Sequence, residues 1–207
     1  MAEVSPVPAW PSRMPFRLER PSGNVVLNLF RSAARHPHRP ALHYYGTTTT
    51  YADLLAEVEA LAGYLHHSCG VRRGDRVLLF LQNSPQFIAA FQAVMRADAV
   101  VVPANPMYLE AEIAHIVHDS GARVAFVAEE LIDRLVPLVP EALDRVIVVR
   151  YAEALTAPTA DPLPEVMRRP PRALPDGGAI TPYAAARAPG SAACPDVRTG
   201  DADLAAM

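Results

Sequence analysis

The spacing of apolar residues changes several times between residues 24 and 150. Leu54, Val58, Leu61 and Leu65 recur every three or four residues, which is typical of a helix with one apolar face. Residues 77–81 are apolar at every position, and such a run is typical of a strand covered on both faces. The alternation of these two patterns predicts strands connected by helices.

The two spacing patterns predict an order of helices and strands along the chain. Helices are expected at residues 24–36, 50–70, 84–96, 110–118 and 129–138, and strands at 41–45, 77–81, 99–102, 123–127 and 145–149, with a β-favouring threonine run at 47–50. Thr50 and Asp53 predict a capping box, and Ser84 predicts a helix cap with Pro85 at the first helical position. We therefore expect an α/β fold, a mostly parallel sheet flanked by helices and joined by right-handed crossovers.

Proline content divides the chain into three expected segments. Residues 1–23 form an irregular proline-rich lead, residues 24–150 an N-terminal α/β subdomain, and residues 151–207 a proline-rich variable segment without an apolar period. Residues 201–207 could begin a strand, and the chain then ends abruptly. One core and a loosely structured tail are therefore predicted.

Composition excludes several classes of protein. The 207 residues carry a formal charge of −3, and their 19 basic and 22 acidic residues are interleaved, so neither nucleic acid nor anionic lipid is an expected partner. Cys69 and Cys194 are too far apart for a disulfide framework or a zinc pattern. Prolines interrupt the N-terminus, and no apolar run approaches the roughly 18 residues that span a bilayer. We expect a soluble cytoplasmic protein.

Candidate catalytic and binding residues are few. A glycine-rich turn at a helix start would hold phosphate, but the pair Gly177-Gly178 lies in the proline-rich tail without a nearby lysine and is interpreted as a flexible turn. His115 and His118 with Glu112 have a spacing that could hold a metal, but a third ligand is not evident and surface histidines are the commoner case.

The remaining candidates have simpler interpretations. His66 and His67 suit a helix C-terminus, where the dipole favours positive charge. Cys69 lacks a neighbouring base and is expected to be a small packed side chain. Ser84 lacks the glycines of a nucleophile elbow, and a cap explains it. Taken alone, these residues predict an α/β domain without catalytic, cofactor-binding or metal residues.

A series of short segments nevertheless resembles one family over residues 24–127. The segments are Asn28-Leu29-Phe30, Arg39-Pro40-Ala41-Leu42, Thr50-Tyr51-Ala52-Asp53-Leu54, Gly70-Val71-Arg72-Arg73-Gly74-Asp75-Arg76-Val77, Gln82-Asn83-Ser84-Pro85-Gln86-Phe87, Arg96-Ala97 and Ala99-Val100-Val101-Val102-Pro103-Ala104-Asn105-Pro106. Their order resembles the adenylate-forming, AMP-binding enzymes, above all the fatty acyl-CoA synthetases. Residues 201–205 resemble the short run that precedes the phosphate loop of that family.

The resemblance implies a ligase that joins a fatty or other carboxylic acid to AMP from Mg-ATP and then to coenzyme A, releasing AMP and diphosphate. The family's phosphate loop and C-terminal domain would follow Met207, so no catalytic residue is transferred to this chain. No cofactor is expected for the chain itself, whereas ATP, Mg and CoA serve the complete enzyme. Asn105-Pro106 follows a predicted strand, where ligands bind in open α/β sheets, but a turn role fits equally.

Three interpretations remain open from the sequence. The chain is a truncated acyl-CoA synthetase that is inactive alone, one chain of a split synthetase whose partner supplies the remainder, or a non-catalytic binding or interaction module. A binding module would be expected to be a stable monomer with a polar, closed surface, whereas loss of the remaining strands of a synthetase would expose apolar sheet surface or an unpaired edge. Medium to long-chain fatty acids are the expected substrates of the complete enzyme, and aryl acids and luciferase-like substrates remain alternatives.

Overall fold

The computed structural model describes residues 23–175, 178–188, 193–198, 200 and 203–207. Its helices are α1 Val26–Arg35, α2 Tyr51–His67, α3 Pro85–Arg96, α4 Glu110–Ser120, α5 Glu165–Arg168 and α6 Tyr183–Ala186. Its strands are β1 Pro40–Tyr44, β2 Thr47–Thr50, β3 Arg76–Phe80, β4 Val100–Pro103, β5 Val124–Ala128, β6 Arg145–Val149 and β7 Ile180–Pro182. Short 3₁₀ helices lie at Glu129–Arg134, Val136–Leu138 and Tyr151–Ala154.

Five parallel strands form the main sheet in the order β4-β3-β5-β6-β7. Every residue of β5 is buried, and β3 and β6 are buried at all positions after their first arginine. Strands that are apolar on both faces require cover on both faces, which agrees with their unbroken hydrophobic sequence. The predicted α/β fold with a parallel sheet and flanking helices is confirmed.

A separate antiparallel hairpin joins β1 to β2. Its turn residues Tyr45 and Gly46 both have positive φ, 43° and 79°, as a two-residue turn that matches the strand twist requires. Gly46 therefore lies in the turn between the two strands, and the first strand starts one residue earlier than expected. The hairpin packs beside α2 and does not join the main sheet.

The helix starts follow from local side-chain chemistry. Thr50 Oγ1 accepts a hydrogen bond from the Asp53 N–H at 3.2 Å, and Asp53 Oδ2 accepts one from the Thr50 N–H at 3.3 Å. Ser84 Oγ accepts from the Phe87 N–H at 3.1 Å, with Pro85 opening α3. Both predicted caps are confirmed. They satisfy N–H groups that have no partner inside a first helical turn.

Arg96 connects three helices to the C-terminal part of the chain. Its Nε donates to Glu59 Oε1 on α2 at 2.7 Å, and its guanidinium lies 5.7 Å from the centre of the Phe30 ring on α1. Its Nη1 and Nη2 donate to the carbonyl oxygens of Pro195 and Cys194 at 2.6 and 3.1 Å. Only 8% of this side chain is exposed, so its charge is neutralised inside the protein.

The segment after Arg150 contributes more to the fold than its sequence predicts. Residues 180–182 add the parallel strand β7, and Met167, Tyr183 and Cys194 are buried in the core. Their apolar side chains are too widely spaced to form a period, and Met167 and Tyr183 reach the core from the short helices α5 and α6. The helix expected at residues 129–138 is also wrong in type, because two 3₁₀ helices interrupted at Leu135 take its place.

The last residues of the chain pair with an edge of the sheet. Ala206 forms a parallel bridge with Val101 of β4, through hydrogen bonds between Val101 and the backbone of Ala205 and Met207. Asp203 also accepts hydrogen bonds from Arg73 at 2.9 and 3.1 Å. The expected strand start therefore lies at this edge, although residues 201 and 202 lie outside the described part, as does most of the proline-rich lead.

Candidate functional site

Polar side chains collect where the parallel strands end. Gln82 and Ser84 follow β3, Glu129 and Glu130 follow β5, and Arg150 follows β6. The crevice outside the carboxyl ends of the strands is the usual place for ligands in an open α/β sheet. Two depressions lie near this edge.

The first depression, the carboxyl-edge pocket, has a volume of about 280 Å³ and is lined by Glu129, Glu130, Asp133, Arg150, Tyr151, Val166, Arg169, Pro170 and Arg172. Arg172 donates to both Asp133 carboxylate oxygens at 2.8 and 2.9 Å. Arg150 Nη2 donates to the Arg169 carbonyl oxygen at 2.7 Å, and its Nε lies 3.8 Å from Glu129 Oε2. Arg172 and the Nη2 of Arg150 are therefore occupied by the protein's own acceptors, whereas Arg150 Nε is buried without a hydrogen-bond partner among the described residues.

Burial alters the acidity of groups in this pocket. It raises the pKa of Glu130, and the neighbouring carboxylate of Glu129 adds to the effect. Burial also raises the pKa of Tyr151, whose hydroxyl oxygen accepts a hydrogen bond from the Gln82 N–H at 2.6 Å. Tyr151 thereby joins the end of β3 to the segment after β6, and it stays a neutral phenol near pH 7.

The second depression, the hairpin cleft, is an open cleft of about 710 Å³ between the β1–β2 hairpin, α2, the start of α3, and the segments that follow β6 and β7. Its lining residues are Thr47, Thr48, Thr49, Asp53, Ala56, Glu57, Ala60, Pro85, Gln86, Glu153, Ala154, Thr156, Ala184, Arg187 and Ala188. The volume lies within the range of about 300–1,000 Å³ that is usual for ligand pockets. Alanines are interspersed with polar groups in this lining, and α2 alone contributes Asp53, Ala56, Glu57 and Ala60.

Two oxygen atoms of residues lining the hairpin cleft lack hydrogen-bond partners among the described residues. Gln86 is only 3% exposed, and its Nε2 donates to the carbonyl oxygens of Arg150 and Tyr151 at 3.1 and 3.5 Å, which leaves Oε1 unpaired. Glu153 Oε2 is also buried and unpaired. Burial raises the pKa of Glu153, while Arg187 and Arg150 act in the opposite direction.

Glu57, unlike Gln86 Oε1 and Glu153 Oε2, has a hydrogen-bond partner and an ion-pair partner. Its Oε1 accepts a hydrogen bond from the Tyr183 hydroxyl at 2.8 Å and lies 3.5 Å from Arg187 Nη1. Burial, followed by the Glu57 charge, raises the pKa of Tyr183, so this tyrosine remains a donor across the accessible pH range. The contact fixes α6 against α2 and shapes one side of the cleft.

The residues considered from the sequence are dispersed. Ser84 is a buried helix cap, and Asn105 is exposed in a turn where its Oδ1 accepts from the Met107 N–H at 3.0 Å. His115, His118 and Glu112 are exposed on α4, and Glu112 accepts from the Leu109 N–H at 2.8 Å. Within the described ranges, no three His, Cys, Asp or Glu side chains are grouped as a metal site would require.

The other candidate residues line neither the carboxyl-edge pocket nor the hairpin cleft. His66 and His67 contact each other edge to face at the end of α2, with ring centres 4.7 Å apart. Cys69 lies at the opposite, amino-terminal side of the sheet, and burial raises its pKa to about 12, so the thiol is protonated near pH 7. Gly178 has open space around it, and Gly177 lies outside the described residues.

Sequence reasoning missed the residues that shape the hairpin cleft. Gln86 belongs to a segment that carries the family resemblance, but nothing in its spacing indicates a buried amide. Glu153 lies in the segment that was expected to be irregular. No local pattern links these residues to the hairpin.

The fold, with its parallel sheet and polar carboxyl edge, defines an α/β domain of the kind used by nucleotide-dependent enzymes. The model of the family described as AMP-binding enzyme matches residues 29–194, and the chain belongs to this family. The resemblance drawn from the sequence is thereby confirmed.

Individual relatives agree with this assignment. The long-chain-fatty-acid–CoA ligase of Bacillus subtilis is 29% identical over 150 residues, which are 72% of this chain and 27% of the relative. A protein described as a long-chain-fatty-acid CoA ligase of Rhodopseudomonas palustris shares the fold, with a TM-score of 0.64 at 22% identity over 84% of this chain and 38% of that one. The N-terminal domain of FACL13 from Mycobacterium tuberculosis has a TM-score of 0.55 at 28% identity, covering 69% and 38% of the two chains.

The chain spans about a quarter of the length of the curated relatives it matches, and it corresponds to their N-terminal part. Among the described residues, none of the helices combines the length and the apolar character needed to cross a bilayer.

Proposed function

We propose that this chain forms the N-terminal part of an AMP-forming acyl-CoA ligase. The complete enzyme would join a carboxylic acid to AMP from Mg-ATP and then transfer the acyl group to coenzyme A, releasing AMP and diphosphate. The observation that carries the proposal is the family match over residues 29–194 on a sheet of the matching architecture. Long-chain fatty acids are the proposed substrates, supported by the names of several curated relatives.

The role proposed for residues 24–150 is that of a scaffold for subdomains that complete the enzyme, and residues 151–207 are proposed as a variable segment between them. Adenylation depends on stabilising the charge of a transferring phosphoryl group with Mg²⁺ and basic groups. In the carboxyl-edge pocket a triphosphate would face the carboxylates of Glu129, Glu130 and Asp133, and Arg172, one of the three arginines there, is already paired with Asp133. These residues do not fit Mg-ATP.

The basic residues of the chain support the same role. All 19 are arginine, so the chain has no lysine with which to supply the catalytic lysine that the family resemblance places in the C-terminal domain. We therefore propose that the chain alone binds none of ATP, Mg and CoA productively and that its partner is the remainder of the synthetase. A cytoplasmic location is proposed with it, supported by two free thiols at Cys69 and Cys194.

An exchange assay tests this proposal. ATP–diphosphate exchange is measured with fatty and aryl acids for the chain alone, for the chain joined in frame to the remaining part of the Bacillus subtilis ligase, and for that remaining part alone. We expect exchange only from the joined protein, with a preference for fatty acids. Exchange by the chain alone would overturn the scaffold role. A folded joined protein that is inactive with every acid would overturn the ligase assignment.

Co-expression distinguishes a split enzyme from an enzyme made of one continuous chain. The chain and the remaining part of the ligase are co-expressed as independent polypeptides, and exchange is measured on the co-purified material. Activity in this arrangement would indicate a split enzyme, whereas activity that requires a covalent connection would indicate one continuous chain.

A further inference from the structure

Exposed apolar side chains are concentrated around strand β4. Among the described residues, six large apolar side chains are exposed, and four of them belong either to residues 105–109, the β4 loop, or to the tail that pairs with β4: Met107, Leu109, Leu204 and Met207. Met107 and Leu109 are 79% and 64% exposed. Single exposed apolar side chains are normal, but a group of them around one strand indicates a surface that another structure covers.

Hydrogen bonds fix the backbone of the β4 loop. Arg134 Nη1 donates to the carbonyl oxygens of Pro106 and Tyr108, on either side of Met107, at 3.0 and 2.6 Å. Asn105 Oδ1 accepts from the Met107 N–H at 3.0 Å. The loop therefore holds its apolar side chains outward on an ordered backbone, which lowers the entropy that a docking partner would have to offset.

Strand β4 lies at the edge of the main sheet, and its outer side is only partly paired. Its inner neighbour is β3, and on its outer side the described residues provide one bridge, between Val101 and Ala206. Because this bridge is parallel, a longer polypeptide would continue from Met207 along β4 toward the β4 loop. An edge strand covered at one position is a template for further extended chain.

Two observations favour the rest of an acyl-CoA ligase as the structure that covers this surface. The match spans 27% of the Bacillus subtilis ligase and corresponds to the N-terminal part of such relatives, so most of that protein lies beyond the matched region. A lipid surface fits less well, because Glu110 and Glu112 are exposed next to the β4 loop and would face anionic headgroups.

We propose that the β4 loop and the outer edge of β4 are the surface on which the remaining part of an acyl-CoA ligase docks. The partner surface is apolar where it receives Met107 and Leu109, and extended where it follows the edge of β4. This inference rests on the proposed function and deepens it, because it names the residues through which the scaffold contacts the rest of the enzyme.

Oxidation of Met107 by hydrogen peroxide measures whether this surface is covered. Mass spectrometry of peptides follows sulfoxide formation in the chain alone and in the chain joined in frame to the remaining part of the Bacillus subtilis ligase, with circular dichroism as the check on folding. Since oxidation depends on exposure, we expect Met107 to react at least about ten-fold more slowly in the joined protein. Val25→Met adds a reporter at a 54% exposed position at the start of α1, and its rate should be the same in both proteins.

Matched variants locate the contact. Leu109→Gln replaces an exposed apolar side chain with a polar one and keeps the backbone of the β4 loop. In the joined protein it is expected to accelerate oxidation of Met107 at least about three-fold, because a buried amide without a partner weakens docking. Val25→Gln makes the same type of change outside the surface and should leave that rate unchanged. In the chain alone, neither variant should shift the midpoint of urea unfolding.

Protection of Met107 that is reduced by Leu109→Gln and not by Val25→Gln supports the proposal. Equal oxidation of Met107 in the chain alone and in a folded joined protein overturns it, as does protection that Leu109→Gln leaves unchanged. Protection of the chain alone by vesicles of phosphatidylcholine and phosphatidylglycerol, or by raising its own concentration, would assign the surface to lipid or to a second copy and overturn the proposal.

Protection of Met107 and ATP–diphosphate exchange are independent measurements. A joined protein that catalyses exchange while Met107 stays reactive would refute the docking surface and leave the proposed function intact. A folded joined protein that protects Met107 but is inactive with every acid would refute the ligase assignment and leave the docking surface intact.

Discussion

Replacement of Arg96 by alanine tests the internal connections of this fold. The substitution removes a guanidinium that donates to Glu59 and to the carbonyl oxygens of Pro195 and Cys194. Removing one partner of a fully buried ion pair costs about 3–5 kcal/mol. The Glu59 side chain is 33% exposed and Pro195 is exposed, so both can recover water contacts. We therefore expect a loss near the lower limit, about 3 kcal/mol.

Urea unfolding followed by circular dichroism measures this loss. For a domain of this size, a loss of about 3 kcal/mol corresponds to a decrease in melting temperature of roughly 6–12 °C. Arg96→Lys keeps the charge but not the planar arrangement of donors, and we expect an intermediate loss of about 1–2 kcal/mol. Arg31→Ala on the exposed face of α1 is the matched control and should change stability by less than about 0.5 kcal/mol.

Trypsin cleavage of the C-terminal segment provides a second measurement. Because Arg96 holds residues 194 and 195, its loss should accelerate trypsin cleavage after Arg198 more than cleavage elsewhere in the chain. If Arg96→Ala is as stable as Arg31→Ala and is cleaved at the same rate, the connection described here does not hold the C-terminal segment.

Four further substitutions test three local features. Gly121 and Gly70 both have positive φ, +65° and +72°, so replacement by alanine strains the backbone at both positions. The new Cβ of Gly121→Ala lies 2.6 Å from the Arg76 guanidinium, whereas that of Gly70→Ala meets open space. Urea unfolding should therefore show Gly121→Ala to be less stable than Gly70→Ala by about 1 kcal/mol or more. Ser84→Ala should cost about 1 kcal/mol through loss of the cap, and an unchanged unfolding midpoint would contradict that role. Burial raises the pKa of Glu130 above its unfolded value of 4.5, so the folded chain loses stability as the pH rises and the buried carboxyl group ionises. Glu130→Gln should therefore be more stable than the parent chain at pH 7 and equally stable near pH 4. A stability difference that does not change with pH would refute this.

Features that depend on neighbouring residues could be predicted without a structure. The caps at Thr50 and Ser84 were predicted because each hydroxyl satisfies an N–H three residues further along the chain. The central strands were predicted because a strand buried on both faces needs an apolar side chain at nearly every position. The order of short segments was also sufficient to indicate the family.

Contacts between distant residues could not be predicted, because they depend on how the elements pack. Gln86 reaches the carbonyl oxygen of Arg150 across 64 residues, and Arg96 reaches Pro195 across 99. The strand at residues 180–182 exists because β6 offers it an edge; Ile180 and Thr181 favour extended structure, but three residues alone do not specify a strand. The hairpin cleft arises in the same way, from the packing of α2, α6 and the hairpin. Side-chain spacing encodes local geometry, whereas the site depends on long-range packing that no single segment specifies.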